Sequence, residues 1–212
     1  MPGRPRDPGP RRPKRRRAAE AMRLAIVVHP PASLARHFAT RTSALDLPAA
    51  LTTPADRLRV VVQHIGDATP DEAAALMPTI RRAAKGLGPF WLRPLRLVSM
   101  PRNEPTRRIV VELDTPPMLL ELKRRLAQRL ARSPRRDPAD RFIPHITLVR
   151  LETPDASIDL DESLDAPAFP VERLSIEETG RLRKDQRRRE AARPLGAVLL
   201  EGPPTPPPSP LL

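Results

Sequence analysis

The sequence predicts an α+β fold with two lobes: duplicated antiparallel sheets with flanking helices around a central cleft. Two observations predict it. β-branched apolar runs alternate with helix-like stretches in two successive strand–helix–strand halves, and the second half then adds strands without clear helices. The 212 residues are also enough to bury a substantial core.

The elements follow in order. "MRLAIVVH" opens the body at Met22 as a strand, and "PASLARHFATRTSAL" carries helical periodicity. "LRVVVQHI" is β-branched and apolar, and ends at Gly66-Asp67. "TPDEAAALMPTIRRAAKGLG" starts a helix with Thr69 as N-cap, Pro70 at the first position and Glu72 closing a capping box. Ala73, Leu76, Met77, Ile80 and Ala84 form its apolar stripe, and Pro78 inside it predicts a kink or an early end. "FWLRPLRLVSM" and "RRIVVELD" read as two strands joined by "PRNEPT". A second helix follows in "TPPMLLELKRRLAQRLARS", with Leu119, Leu122, Leu126 and Leu130 facing inward. "RFIPHITLVRL", "FPVERLSIEE" and "LGAVLLEG" complete the body as strands.

Composition narrows the function classes. Of the formal net charge of +13, six units sit in residues 1–21, where eight Lys/Arg face only Asp7 and Glu20. That Pro/Arg-rich segment cannot fold alone and is expected to be a disordered extension. A basic arm, a localisation signal and a start codon placed upstream of Met22 all fit it, and the strand opening at Met22 favours the last. The folded body is expected over 22–202, followed by a polyproline-like tail over 203–212. The remaining positive charge suits a polyanionic partner, although Arg, Ala and Pro in excess over Lys are also what a GC-rich genome produces. With no cysteine there is no disulfide framework and no thiolate chemistry. The apolar run "LAIVV" is too short for a signal-peptide core or a membrane span, so a cytoplasmic monomer with no membrane partner is expected.

Only four histidines are present, and one lies in "RFIPHITLVR". Simple alternation places Ile143, His145, Thr147 and Val149 on one face, with Pro144, Ile146, Leu148 and Arg150 on the other. A core histidine held by one hydrogen bond would fit this pattern. So would an anion site: the imidazole titrates near neutrality, the hydroxyl donates to a phosphate oxygen, and the arginine pairs with charge.

"FIPHITLVR" resembles the His-x-Thr signature of the two-histidine (2H) phosphoesterases, often written Pro-His-x-Thr-Leu-x-Arg. More narrowly it resembles the RNA 2′,3′-cyclic phosphodiesterase / 2′-5′ RNA ligase family. "MRLAIVV" followed by Pro30-Pro31, "HIGD" and "FPVERL" fall in the same order, so the likeness spans roughly 22–202. The resemblance implies a hydrolase acting on RNA or a nucleotide with a cyclic or terminal phosphate. It implies two His-x-Thr motifs facing each other across a cleft, one imidazole as base and one as acid, with no metal and no cofactor. His145 and Thr147 would be one catalytic motif, with Arg150 assisting at the phosphate.

The first motif departs from that pattern. "LRVVVQHIGD" puts Arg59 where the histidine belongs and Val61 where the threonine belongs. A guanidinium stays protonated and cannot shuttle a proton, but it can bind phosphate. Two substitute histidines come into question: His29, at the end of the first strand, and His64, which alternation places on the face opposite Arg59. His37 falls in a predicted helix, at the surface. The family's tyrosine near the last strand is absent, with Pro194 near that place, and "GRLRKDQRRREAARP" (180–194) is a basic loop able to track an RNA backbone. The alternative to an enzyme is a degenerate member that binds phosphorylated RNA ends or nucleotides without chemistry.

Overall fold

The structure, a computed structural model, describes residues 22–47, 50–102, 105–130, 142–155, 158–179 and 194–207. The basic extension at 1–21, most of the basic loop and the last residues of the tail lie outside the described residues. In chain order the strands are β1 (Met22–Val28), β2 (Ala50–Thr52), β3 (Val60–Ala68), β4 (Phe90–Leu92), β5 (Pro94–Met100) and β6 (Thr106–Leu113). They continue with β7 (His145–Asp155), β8 (Asp161–Ser163), β9 (Phe169–Val171), β10 (Arg173–Glu178) and β11 (Pro194–Leu199). The helices are α1 (Ala32–Ser43), α2 (Pro70–Ala84) and α3 (Pro117–Leu130), with a single 3-10 turn at Ala55–Arg57.

The α+β class holds. The main sheet runs β11-β10-β1-β3-β7-β6-β5-β8, with β2 on β7, and a separate ribbon joins β4 to β9. All of the main sheet's pairings are antiparallel. Two four-stranded halves meet at β3 and β7, where one Cα pair, Val60 with Ile146, makes the junction. Beyond it β2 takes the same edge of β7, pairing Ala50, Leu51 and Thr52 with Leu151, Arg150 and Val149. The halves therefore part from one another on leaving that pair.

The helices cover one face. Ile26, Val28, Val60, Val62, Ile146 and Ile176 on the sheet pack with Phe38 of α1, Ile80 of α2, and Leu119, Leu122 and Leu126 of α3. The α2 capping box forms as its sequence requires, with Thr69 Oγ1 accepting from Glu72 N and Glu72 Oε2 accepting from Thr69 N at 2.8 Å. The helix runs unbroken through Pro78 to Ala84. Proline there removes the bond to the Ala74 carbonyl, but Ala74 and Pro78 are both exposed, so water can take that oxygen. The far end of α2 is held by Arg125 of α3, which donates to the carbonyl of Lys85 at 2.8 Å.

Two expected strands are each divided. "FWLRPLRLVSM" splits at Arg93 into β4 and β5, and "FPVERLSIEE" splits at Glu172 into β9 and β10. The first pieces leave the main sheet and pair with each other, burying Phe90 and Phe169 in the core. Beside this ribbon the chain end lies close: Trp91 Nε1 donates to the Thr205 carbonyl at 3.2 Å and Thr205 N donates to the Pro89 carbonyl at 2.9 Å. Gly88 permits the approach, since a Cβ there would sit 1.8 Å from the Pro203 carbonyl oxygen. Gly88→Ala should therefore push residues 202–207 off the body and cost about 1–3 kcal/mol. Thermal denaturation reads the loss, and faster proteolytic trimming of the chain end reads its origin.

Candidate active site

The face without helices carries the candidate residues, and strand register decides which of them meet. Along β3, Val61 lies opposite Val27 and His64 lies opposite Ala25. Ala25 and Val27 are two apart on β1 and share a face, so Val61 and His64 share one as well. Strict alternation would have separated them. A β-bulge at Val62, which is skipped between the Val27–Val61 and Ile26–Gln63 pairs, supplies the extra residue. The expectation that His64 faces away from Arg59 is thereby corrected.

The same correction applies to β7. Thr147 pairs with Val110 and Arg150 with Arg108, while Leu148 is skipped. Arg108 and Val110 are two apart on β6, so Arg150 returns to the face of His145 and Thr147. Val149 turns inward with Ile146, and both are fully buried. The two bulges are related. A local two-fold axis through the Val60–Ile146 pair carries Val62 onto Leu148, Arg59 onto His145, Val61 onto Thr147 and His64 onto Arg150. Histidine and arginine have thus exchanged places between the two strands.

Arg59 is anchored by an acid that sequence reading missed. Its Nη1 donates to Glu177 Oε2 at 2.6 Å, and His29 Nε2 meets Glu177 Oε1 at 2.6 Å. Glu177 pairs with Ala25 across β1 and so points to the same face, where its side chain is 5% exposed. Burial pushes its carboxyl up, but the hydrogen bonds and charges of His29 and Arg59 outweigh burial and leave it below the usual range. His29 Nδ1 lies 3.2 Å from the Leu58 carbonyl. Both ring nitrogens of His29 are therefore engaged inside the protein, which makes it a support for Glu177 and leaves neither nitrogen for a substrate proton. His37 is exposed on α1, as expected.

His145 is differently placed. Its Nδ1 donates to the Ile143 carbonyl at 2.8 Å, which fixes the tautomer and leaves the Nε2 lone pair available. Its pKa is lowered, first by burial and then by the charges of Arg108, His64 and Arg150, against the opposing pull of the Ile143 bond. The pKa of His64 is lowered too, by burial and then by Lys123, Arg23, Arg150 and Arg59. Lys123 reaches this end of β3 from α3, where it donates to Gln63 Oε1 at 2.8 Å and sits 5.0 Å over the Phe142 ring. Both imidazoles are therefore neutral at pH 7 in a strongly cationic setting. Among the described residues, Thr147, Arg108 and Arg150 have no side-chain hydrogen-bond or ion-pair partner.

Arg108 is the other member missed by sequence reading. "RRIVVELD" declared a strand, but its register against β7 is not a local property. A separate hollow of about 680 Å³ is lined by Arg81, Arg82, Lys85, Val198, Leu199 and Glu201, and none of the residues above borders it. No group of three or more metal-ligating side chains gathers among the described residues, and no helix there is long and apolar enough to cross a membrane.

The pH dependence of stability follows from the two lowered pKa values. The unfolded chain takes up protons near the ordinary histidine value of 6.5 before the folded chain does. Stability is therefore full above about pH 6.5 and falls as pH drops toward the depressed folded values, with Glu177 adding a further loss below its ordinary 4.5. Denaturation midpoints measured between about pH 5 and 8 should fall on acidification. The slope should flatten in a His64→Gln/His145→Gln double variant, and inorganic phosphate should offset the loss most at the acid end.

No family model matches the chain, and no curated protein matches it. Solved structures do. The TT0787 protein of Thermus thermophilus superposes with a TM-score of 0.68 at 19% identity, over 85% of this chain and 99% of that one. Escherichia coli LigT in complex with 3′-AMP gives 0.66 at 22% identity, over 85% and 99%. A structure described as a phosphoesterase gives 0.63 at 20% identity, over 84% and 98%. The chain thus has the fold of LigT and of this phosphoesterase.

Proposed function

We propose that the chain is an RNA 2′,3′-cyclic phosphodiesterase that works by acid/base catalysis without a metal. The observation that carries this reading is the shared face of His145, Thr147, Arg59, Arg150 and His64, assembled by the paired bulges. LigT, which has the same fold, has been solved with 3′-AMP, NADP+ and ATP, which supports a nucleotide or RNA end as the ligand here.

In the proposed reaction, water attacks the phosphorus of the cyclic phosphodiester. One imidazole takes the water proton, the bond from phosphorus to one ribose oxygen breaks, and that oxygen receives a proton from the second imidazole. His145, with Nε2 free, is the first of the pair, and His64 is the second in place of the histidine that Arg59 replaces. Thr147 donates its hydroxyl to a phosphate oxygen, and Arg59 and Arg150 stabilise the charge that grows on the phosphoryl group. The resting cleft holds both imidazoles neutral. An anionic substrate raises both pKa values, so that one imidazole gains the proton that it later gives away.

A second reading has its own support. Arg59, tied to Glu177, occupies the position equivalent to His145, and Val61 offers no hydroxyl where Thr147 does. Those losses favour a degenerate member that binds phosphorylated RNA ends or nucleotides without turnover. Hydrolysis of a nucleoside 2′,3′-cyclic phosphate in the presence of a chelator decides between them. Turnover that falls about 10²–10⁴-fold in His145→Ala, and comparably in His64→Ala, is the expected result. Saturable phosphate binding with no turnover selects the second reading, and absence of both removes the two together. Glu177→Gln should weaken phosphate binding by loosening Arg59, read as a raised KM with a smaller change in kcat.

A further inference from the structure

We propose that the outer edge of β11 is a docking site for an extended acidic segment of another protein. The segment adds to the main sheet as a further strand and sets its carboxylates against Arg81, Arg82 and Lys85 at the end of α2.

The main sheet ends in β11 on one side and β8 on the other, and the two edges differ. β8 has three exposed residues, and its acids Asp161 and Glu162 are already in ion pairs with Arg96, Arg102 and Arg41. A short, charged edge of that kind resists strand addition. β11 runs from Pro194 to Leu199 without a charged side chain. Leu200 N donates to the Glu172 carbonyl at 2.9 Å, and Val198 lies opposite Leu174 on β10. The antiparallel ladder therefore turns the N–H and C=O groups of Ala197 and Leu199 outward, away from β10. Among the described residues no strand takes them. Such open main-chain groups are what an added strand pairs with.

The hollow of about 680 Å³ lies along this edge, where Ala197 and Leu199 meet Arg81, Arg82 and Lys85. Among the described residues none of these cations has an acidic partner; Arg82 donates to Thr79 Oγ1 at 3.3 Å. Glu201 also borders the hollow and forms no ion pair among the described residues. The helix end does not account for three cations, because Arg125 already donates to the carbonyls of Ala83 at 3.4 Å and Lys85 at 2.8 Å.

Charge and alternation select the occupant. A second copy joined edge to edge across a two-fold axis would bring two sets of these cations together, which opposes that pairing. The long segments outside the described residues, 1–21, 131–141 and 180–193, all carry an excess of Lys and Arg, so charge favours none of them here. An acidic segment meets the cations without repulsion. Gly196 lies against Met77 of α2 and Val198 is buried, so Ala197 and Leu199 face the other way. A strand added beside them alternates in the same manner. One set of its side chains meets the cations, and the other lies beside Leu199, which is 62% exposed. The preferred sequence thus alternates acidic and apolar residues.

The test measures fluorescence anisotropy of a labelled, N-acetylated octapeptide of four Glu-Val repeats titrated with the full chain. Saturable binding that weakens with salt is expected. Methylating the peptide's edge-facing amides keeps its charge and removes its main-chain donors, and should weaken binding about tenfold or more. Arg81→Glu/Arg82→Glu/Lys85→Glu should weaken it at least as much. Ala197→Pro, which deletes an outward N–H and no ladder bond, should weaken it about fivefold with an unchanged denaturation midpoint. Absence of saturable binding overturns the proposal, as does equal affinity for the methylated peptide. A single-stranded RNA of equal charge that displaces the peptide, with its own affinity lost in the triple variant and kept in Ala197→Pro, also overturns it and makes the edge a nucleic-acid surface. Self-association in sedimentation that Ala197→Pro abolishes overturns it in favour of a second copy.

Discussion

One Cα pair governs the arrangement: Val60 of β3 opposite Ile146 of β7. Both residues are fully buried against the helices, so their neighbours on either side must project to the opposite face. That requirement alone delivers Arg59 and Val61 from one half, and His145 and Thr147 from the other. The pairing does not extend, because β2 occupies the next stretch of the same edge of β7. A continuous ladder would have locked the two strands side by side. A single pair joins them and leaves the side chains around it projecting from the face without helices.

The bulges at Val62 and Leu148 extend the set of residues that converge. Each inserts one buried residue into the helix-facing side of its strand, and each turns a polar side chain three positions beyond the motif's threonine site back to the open face. Without them His64 and Arg150 would point toward the core, where an uncompensated imidazole or guanidinium carries a heavy desolvation cost. The fold therefore has a stability reason to keep the bulges. Their equivalence under the local two-fold axis makes them one feature that occurs twice.

Local chemistry was legible in the sequence and register was not. The Thr69–Glu72 capping box, the Leu119–Leu122–Leu126 stripe of α3 and the His-x-Thr strand could be read because each is decided within a few residues. Strand alternation was also read correctly as far as the bulges, and failed at the first residue past each of them. Val62 and Leu148 look like any other strand residue, and only the partner strand reveals that they are skipped. Glu177 could have been suspected, since in "LSIEE" it follows the alternating buried Leu174 and Ile176 and so had to share a face with the candidate site. Arg108 could not, because nothing local to β6 says that Arg150 lies across from it. The splits at Arg93 and Glu172 were hidden for the same reason, as β4 and β9 leave the main sheet only because they find each other.

The exchange of histidine and arginine across the two-fold axis gives the site a direction. With histidine at both equivalent positions the two halves would present the same groups, and the site would be symmetric about the Val60–Ile146 pair. Here the antiparallel register places Arg150 and Arg59 toward one end, and His145 and His64 toward the other. Arg108 strengthens the cationic end from β6. Protonation can change the charge of the histidine end near neutral pH, while the arginine end keeps its charge throughout. The open face therefore has two unlike ends along the seam, arginines at one and imidazoles at the other. An arginine at position 59, read on its own, is a departure from the His-x-Thr pattern that the strand of His145 resembles. Read with His64, Glu177 and Arg108, it belongs to a site polarised along the seam between the lobes.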